Sequence, residues 1–247
     1  VKPFPTDVVQ VGIGQRYSVL VKARNCSDHD WRIHADMEKS VYGRGFQHQD
    51  GDHLKLNLTS KVSYGKKNAK LGKGRKTIKT FKLFDDFSLE PVQKKSAESK
   101  PDMAVTLIVG MKESDDAIPM GVVNGTTFKA PLTPPILTMK SENDTTIMDP
   151  KVYGPNSNAV VAPYNHTVEL KLVSGGGEHP FHLHGTQFQL VERMQNASLP
   201  HTKVTVRENP MRRDTVIIPN GGSVTIRFRA DNPGAWIMHC HMDWHLS

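Results

Sequence analysis

The sequence contains few cysteines and no long apolar run. Two cysteines, Cys26 and Cys240, occur in 247 residues, which excludes a small fold held together by several disulfides. The longest apolar run, residues 104–111, is much shorter than the roughly 18 residues that a membrane-spanning helix needs. The first ten residues, VKPFPTDVVQ, contain no methionine and none of the basic and apolar segments of a signal peptide. We expect a chain that begins after processing or that is part of a longer protein.

Acidic residues are missing from the most basic part of the chain. The formal net charge is +7, and eight basic residues lie between Lys61 and Lys79, with three glycines among them and no acid. A solvated surface loop accounts for this pattern. Binding to a polyanion is the alternative, but only Tyr64 and Phe81 lie nearby to stack on bases. We therefore expect no nucleic acid partner.

Long amphipathic helical patterns are also missing, and strand patterns dominate. Apolar and polar side chains alternate in residues 168–172 and 223–229, as they do in half-buried strands. Asn220-Gly221-Gly222 predicts a hairpin between residues 215–218 and 223–229. Further predicted strands are residues 9–11, residues 17–21, and residues 104–111, the last buried on both faces. Many short strands joined by glycine and proline turns predict an all-β sandwich.

A polar segment bounded by prolines marks the predicted domain boundary. It reads PVQKKSAESKP and covers residues 91–101, a composition typical of linkers. We place the boundary near residue 95, so that residues 1–95 and 96–247 belong to different domains.

Asn-x-Ser/Thr sequons are more frequent than the composition predicts. There are six, at Asn25, Asn57, Asn124, Asn143, Asn165 and Asn196. Sequons of this kind carry glycans in proteins that pass through the secretory route. We therefore predict a glycoprotein that is secreted or exposed at the cell surface, with biased composition as the alternative.

Half of the twelve histidines fall in two short windows, HPFHLH at residues 179–184 and HCHMDWH at residues 239–245. Successive side chains of a strand point to opposite faces. If the two windows form neighbouring strands, Cys240 and His179 share one face, and His245 joins them from the following turn. The other face then gathers the remaining histidines, which are His182, His184, His239 and His241.

The two predicted groups differ in ligand chemistry. Two imidazoles and one thiolate form the trigonal set typical of blue copper electron-transfer sites. A group of histidines alone suits copper that binds and reduces dioxygen, and Cys240 with its flanking histidines makes a short through-bond electron route between the groups. A structural zinc site is one alternative, but zinc needs only four ligands and usually more than one cysteine. A disulfide between Cys26 and Cys240 is another.

The strings HPFHLHG (179–185) and HCHMDWH (239–245) resemble two copper motifs of the multicopper oxidases, the family of laccases and ferroxidases. GQRYSVLV (14–21) is similar to the family's middle domain, and PMRRDT (210–215) is similar to fungal iron-uptake ferroxidases. The resemblance implies cupredoxin-like Greek-key β-sandwich domains. Residues 1–95 would be the latter part of a middle domain, and residues 96–247 most of a C-terminal one.

The resemblance also implies a role for each motif residue. His179, Cys240 and His245 would hold the type 1 copper. His182 would hold the type 2 copper, and His184, His239 and His241 would serve the type 3 pair. A substrate would lose one electron at a time at the type 1 copper, and the electrons would pass through Cys240 to His239 and His241, the predicted catalytic residues. The implied enzyme is an oxidoreductase that reduces dioxygen to water.

The sequence departs from the family pattern in its number of His-x-His motifs. Only two occur, and the two that the family's first domain normally supplies are absent. We expect a missing N-terminal domain or a neighbouring subunit to provide those ligands. The axial position of the type 1 copper would lie beyond Ser247. A copper-binding fragment without turnover is the alternative function.

The expected substrate is ferrous iron or a phenol-like reductant, with iron slightly favoured. A cationic substrate needs carboxylates near the type 1 histidines. Glu178 directly precedes His179, and Asp86 is a second candidate, so both are predicted to bind substrate. Iron-uptake ferroxidases carry an acid four positions before that histidine, where this sequence has Gly175.

Overall fold

The computed structural model describes residues 1–23, 29–37, 57–65, 70–71, 85–98, 100–117, 119–195, 203–204 and 208–242. The chain divides into two compact units, Val1–Arg16 with Phe84–Ser247, and Tyr17–Leu83. The domain boundary near residue 95 stays a prediction. Most of the basic segment between Lys61 and Lys79 lies outside the described residues, as do Cys26 and His245.

The smaller unit contains three described strands. They are β1 (His29–Asp36), β2 (Asn57–Val62) and β3 (Lys70–Leu71), in the order β2-β1-β3. Asp30 of β1 links this strand to β2 and the residues that follow it. Its buried carboxylate accepts a hydrogen bond from the Tyr64 amide at 2.9 Å and pairs with the Lys61 ammonium at 2.6 Å. Strands β1 and β2 pair in antiparallel fashion from Trp31 opposite Val62 to Asp36 opposite Asn57.

The larger unit is built almost entirely from strands. Two short helices, α1 (Pro135–Ser141) and α2 (Asp144–Ile147), and two 3-10 turns at Asp86–Ser88 and Pro150–Tyr153 interrupt them. The strands are β4 (Met103–Glu113), β5 (Pro119–Val123), β6 (Thr167–Ser174), β7 (His179–Leu183), β8 (Phe188–Met194), β9 (Lys203–Val204), β10 (Arg212–Arg213), β11 (Thr215–Ile218), β12 (Ser223–Arg229) and β13 (Met238–Cys240). The all-β prediction is confirmed. Among the described residues, no helix has the length and apolar character required to cross a membrane.

Two sheets enclose the core of the larger unit. One runs β10-β8-β12-β6-β4-β5 with β9 beside β8, and the other runs β11-β7-β13. Strand β11 contacts both β6 and β12, so apolar side chains of the two sheets meet. The fully or nearly fully buried ones are Val168, Leu170, Leu172, Phe188, Leu190, Val224 and Ile226 from the first sheet, and Phe181, Leu183, Val216 and Ile218 from the second. Burial of each stabilises the fold by about 1.5–3 kcal/mol.

The strands predicted at residues 168–172 and 223–229 are confirmed as β6 and β12, but the predicted hairpin is wrong. Strand β11 pairs with β7, whereas β12 pairs with β6 and β8. The turn at residues 219–222 closes with a hydrogen bond from the Gly222 amide to the Pro219 carbonyl at 3.0 Å. It therefore carries the chain from one sheet to the other, and a turn signal alone does not distinguish these outcomes.

Two of the three remaining strand predictions are wrong, and the third is wrong only about burial. Residues 9–11 and 17–21 form no strand, and Leu20 is 93% exposed. Residues 104–111 do form β4, but Ile108 and Met111 are 52% and 41% exposed, so the prediction of burial on both faces is wrong. Strand β4 lies next to the edge strand β5, and its second face meets solvent rather than a covering layer in the described part of the chain.

Candidate metal centre

The two histidine windows form neighbouring antiparallel strands, as the sequence analysis assumed. His239 of β13 lies opposite His182 of β7, and Cys240 lies opposite Phe181. Residues directly opposite one another project to the same face of a sheet. One face therefore carries Cys240 and His179, and the other carries His182 and His239.

The Cys240 face is buried. Cys240 is 6% exposed and His179 is 2% exposed, and the Cys240 Sγ lies 3.9 Å from the His179 Nδ1. The His179 Nε2 lies 2.7 Å from the Gly176 carbonyl. A carbonyl can only accept, so Nε2 carries the proton and Nδ1 turns its lone pair toward the sulfur.

Burial also sets the protonation of this pair. It raises the pKa of the Cys240 thiol to about 11. It lowers the pKa of His179, against the smaller opposing effect of the hydrogen bond to Gly176. A neutral thiol thus faces a neutral imidazole, and a metal ion that binds between them must displace the thiol proton.

The opposite face gathers four imidazoles. The His182 ring centroid lies 4.5 Å from that of His184 and 6.1 Å from that of His241, and the Nε2 atoms of His184 and His239 lie 3.2 Å apart. An open cleft lined by His182, His184 and Asp214 reaches this face. These imidazoles are half-buried or exposed, in contrast to His179.

Three of the four rings on this face have an Nδ1 that either contacts a protein acceptor or is buried without a partner. The His182 Nδ1 lies 2.9 Å from the Asp214 carbonyl and 3.0 Å from the Thr215 hydroxyl. The His239 Nδ1 lies 2.9 Å from the Cys240 carbonyl. The His241 Nδ1 is buried and has no hydrogen-bond partner among the described residues, an arrangement that costs about 1–3 kcal/mol unless something else binds it.

These donors fit copper. A lone thiolate with imidazole suits a type 1 site, and histidines alone with an orphaned buried nitrogen suit the oxygen-reducing copper ions. Within the described ranges, no three donors are already close enough to hold a metal ion by themselves. His245, the third predicted type 1 ligand, lies outside those ranges. Cys240 forms no disulfide with any described residue.

A segment that the sequence motifs did not indicate packs against the histidine face. Gly14 has a φ of 77°, and a Cβ there would overlap the His241 Cδ2. Two residues later, Arg16 donates to both carboxylate oxygens of Asp214 at 2.7 Å. This hydrogen-bonded pair lowers the pKa of Asp214, although partial burial opposes it. The Gly-x-Arg pattern within GQRYSVLV and the aspartate of PMRRDT were visible signals, but nothing local links them.

The two predicted substrate carboxylates have different surroundings. Asp86 is paired with Arg193 at 2.9 Å and with Arg213, and its side chain is 19% exposed. Glu178 is exposed and directly adjoins the buried His179. Gly175 has little room for a side chain, because a Cβ there would lie 3.0 Å from the Val109 carbonyl oxygen. The structure thus leaves Glu178 accessible and gives Asp86 two cationic partners.

Comparisons with known proteins agree with this geometry. Two multicopper oxidase family profiles match residues 1–62 and 128–247. The chain is 36% identical over 253 residues to the iron multicopper oxidase fer1 of Mycosarcoma maydis, covering 100% of this chain and 39% of the relative. It is 34% identical over 250 residues to the iron transport multicopper oxidase fio1 of Schizosaccharomyces pombe, covering 99% and 39%.

A solved structure supports the same relationship. The crystal structure of Fet3p, described as a multicopper oxidase that functions in iron import, matches with a TM-score of 0.70 and 34% identity. The match covers 78% of this chain and 38% of that one, so the chain spans about two fifths of the length of such relatives. The cupredoxin-like fold is thereby confirmed. The chain belongs to the multicopper oxidase family, whose members use copper.

Proposed function

We propose that this chain carries the electron-accepting site and part of the oxygen-reducing site of a ferroxidase-type multicopper oxidase. One observation carries the proposal: the Cys240 Sγ lies 3.9 Å from the His179 Nδ1, while the histidines on either side of Cys240 face the opposite imidazole cluster. Cys240 therefore belongs to one group of donors and is joined through the backbone to two members of the other group.

The proposed ligands follow the two faces. Cys240 and His179, with His245 from outside the described residues, would hold the type 1 copper. His182 would hold the type 2 copper, and the type 3 pair would be bound by His184, His239 and His241. Copper bound at these positions would supply the one-electron oxidation of the reductant and the four-electron reduction of dioxygen to two waters.

The protein's own residues exclude water from the sulfur, connect the two faces covalently and orient the His179 ring. The thiol of Cys240 loses its proton on binding, and its burial keeps water away from the sulfur. The peptide bonds that join Cys240 to His239 and His241 form the shortest covalent path between the faces. Gly176 holds the ring of His179 from behind, as hydrogen-bond partners of metal-binding histidines generally do.

The proposed substrate is ferrous iron. Four ferrous ions would lose one electron each, and one dioxygen would take up four electrons and four protons. The names of the relatives, an iron multicopper oxidase and an iron transport multicopper oxidase, support this choice. Glu178 would attract the cation, because its exposed carboxylate adjoins the type 1 histidine. Asp86 is the weaker candidate, since Arg193 and Arg213 already neutralise it.

The remaining cluster ligands would come from a further domain or a neighbouring subunit. This chain offers four histidines to the oxygen-reducing site, which favours copper binding without turnover as the second candidate function. Secretion and glycosylation remain part of the proposal. They are supported by the exposure of the four sequon asparagines within the described residues, which are Asn57, Asn124, Asn143 and Asn165.

Copper loading followed by oxygen measurements tests the proposal. We expect an intense visible thiolate–copper band from the loaded chain. We also expect oxygen uptake that depends on ferrous iron once the chain is produced within its full-length protein, with a phenol as the comparison substrate. A band without oxygen uptake in that full-length protein would favour the binding function. The absence of any thiolate–copper band would overturn the proposal.

A further inference from the structure

A polar chain of contacts leads from Arg16 to the ring of His182. The Arg16 guanidinium binds the Asp214 carboxylate with two parallel hydrogen bonds of 2.7 Å, and its Nη1 also donates to the Gly14 carbonyl at 3.0 Å. Two-pronged pairing of this kind fixes the direction of a carboxylate. The Thr215 hydroxyl donates to the Asp214 Oδ1 at 3.0 Å.

The direction of the Thr215 hydroxyl proton decides whether that hydroxyl is a donor or an acceptor toward His182. Because the Thr215 proton points to the carboxylate, only its oxygen lone pairs face the His182 Nδ1 at 3.0 Å. The Asp214 main-chain carbonyl, at 2.9 Å from the same nitrogen, is also an acceptor. Two acceptors require a protonated Nδ1, so the Nε2 of His182 is left with its lone pair.

We propose that Arg16, Asp214 and Thr215 are positioning residues that fix the tautomer and ring orientation of His182 so that its Nε2 binds copper. The inference rests on the proposed function only for the identity of the metal. It assigns a task to the segment before the smaller unit, since Arg16 reaches a residue 198 positions away.

Stability alone does not explain the arrangement. The Arg16 side chain is 68% exposed and that of Asp214 is 25% exposed, and exposed ion pairs contribute little to folding. Partners behind a metal-binding histidine, in contrast, typically change metal affinity by about 10–100-fold.

The tautomer can be read directly in the copper-free chain. Histidine labelled with nitrogen-15 gives long-range proton–nitrogen correlations that distinguish a protonated Nδ1 from a protonated Nε2, at a pH well above the usual histidine pKa of about 6.5. We expect His182 to carry its proton on Nδ1. His179, held through Nε2 by Gly176, is the internal control and should show the opposite tautomer.

Two variants test the hydrogen-bonded contacts that lead from Arg16 through Asp214 and Thr215 to His182. In Asp214→Asn the Oδ2 that accepts from the Arg16 Nη2 is replaced by an amide nitrogen that can only donate, so the two-pronged pair that fixes the side chain is lost. In Thr215→Val the hydroxyl is removed while the ion pair stays. In each variant, we expect the ratio of Nδ1-protonated to Nε2-protonated His182 to fall about fivefold, because the Nδ1 proton loses the effect of one acceptor. The His179 signals should stay unchanged. Asp231→Asn, at an exposed position, should leave both histidines unaltered.

Copper titration followed by electron paramagnetic resonance provides the second measurement. We expect Asp214→Asn to weaken copper binding at the His182 site about 10–100-fold, with only a small drop in the melting temperature of the copper-free chain, because the Arg16 partner is 68% exposed. A wild-type His182 protonated on Nε2, or a ratio that neither variant changes, would overturn the inference. If the tautomers respond as expected but no thiolate–copper band forms, the positioning role of Arg16, Asp214 and Thr215 is supported and the oxidase proposal fails.

Discussion

The two faces of the β7–β13 pair hold their histidines by opposite ring nitrogens. His179, on the buried face, is held through Nε2 by Gly176 and turns Nδ1 toward the Cys240 sulfur. His182, on the open face, is held through Nδ1 by Asp214 and Thr215 and turns Nε2 toward the other imidazoles. The acceptor beside each ring therefore decides which nitrogen keeps its lone pair, and this differs between the two faces.

The sharpest test of this contrast removes the sulfur. Cys240→Ser should abolish the visible thiolate–copper band, because a serine hydroxyl does not replace the thiolate in a blue copper site. Copper should still bind to the histidine face of the same variant. Cys26→Ser is the matched control and should keep the band. A band that survives in Cys240→Ser, measured by absorption after copper loading, contradicts the assignment of the two faces.

The burial of one face should also appear in thiol reactivity. With Cys26 replaced by Ser, the copper-free Cys240 should react slowly with a thiol reagent near pH 8. Its pKa is raised from 9.0 to about 11, so its thiolate fraction is about 100-fold below that of an ordinary cysteine. The rate should rise steadily as the pH approaches 11. A rate that levels off near pH 9 would show that the sulfur is not desolvated.

On the open face, Gly14→Ala should disturb the packing of His241. Gly14 and Gly125 share a φ of 77°, which costs an alanine about 1–2 kcal/mol. At Gly14 the new Cβ also overlaps the His241 ring, whereas at Gly125 it meets nothing within 4 Å.

We therefore expect Gly14→Ala to lower the free energy of unfolding by about 2–5 kcal/mol, since overpacking adds to the backbone strain. Gly125→Ala should show the backbone cost alone. Denaturant unfolding of the copper-free chain measures both, and equal losses in the two variants would show that the segment around Gly14 does not press on His241.

The two candidate carboxylates extend the contrast between buried and exposed positions. Asp86→Asn should destabilise the fold by about 1–3 kcal/mol, because Arg193 and Arg213 lose a charged hydrogen-bond partner. We expect the KM for ferrous iron to stay unchanged in the full-length enzyme. A raised KM without loss of stability would instead restore Asp86 as a substrate residue.

Glu178→Gln should have the smallest effect on stability and should change only the binding of the cationic substrate. Its exposed side chain predicts a stability change within about 0.5 kcal/mol. The KM for ferrous iron should rise severalfold while that for a phenol stays the same, since only the cation is attracted by the carboxylate. Equal changes for both substrates would argue against a role in iron binding.

Strand predictions succeeded where the pattern is local and failed where the partner matters. Residues 168–172 and 223–229 alternate strongly and form β6 and β12 in the core. Residues 215–218 form a strand as well, but its partner is β7 rather than β12. Residues 9–11 and 17–21 have comparable patterns and no strand. Hydrogen bonding to a neighbour completes a strand, and the choice of neighbour involves residues distant in the sequence.

The amino-acid sequence by itself determined that Cys240 and its flanking histidines lie on opposite faces, because the period of two along an extended chain separates them wherever the strand lies. Only the tertiary structure decided which nitrogen of each ring faces inward and which residues stand behind it. Asp214 and Thr215 hold the His182 ring through contacts that form only after β7 and β11 pair. Arg16 and Asp214 are 198 positions apart, and no local pattern encodes a contact over that separation.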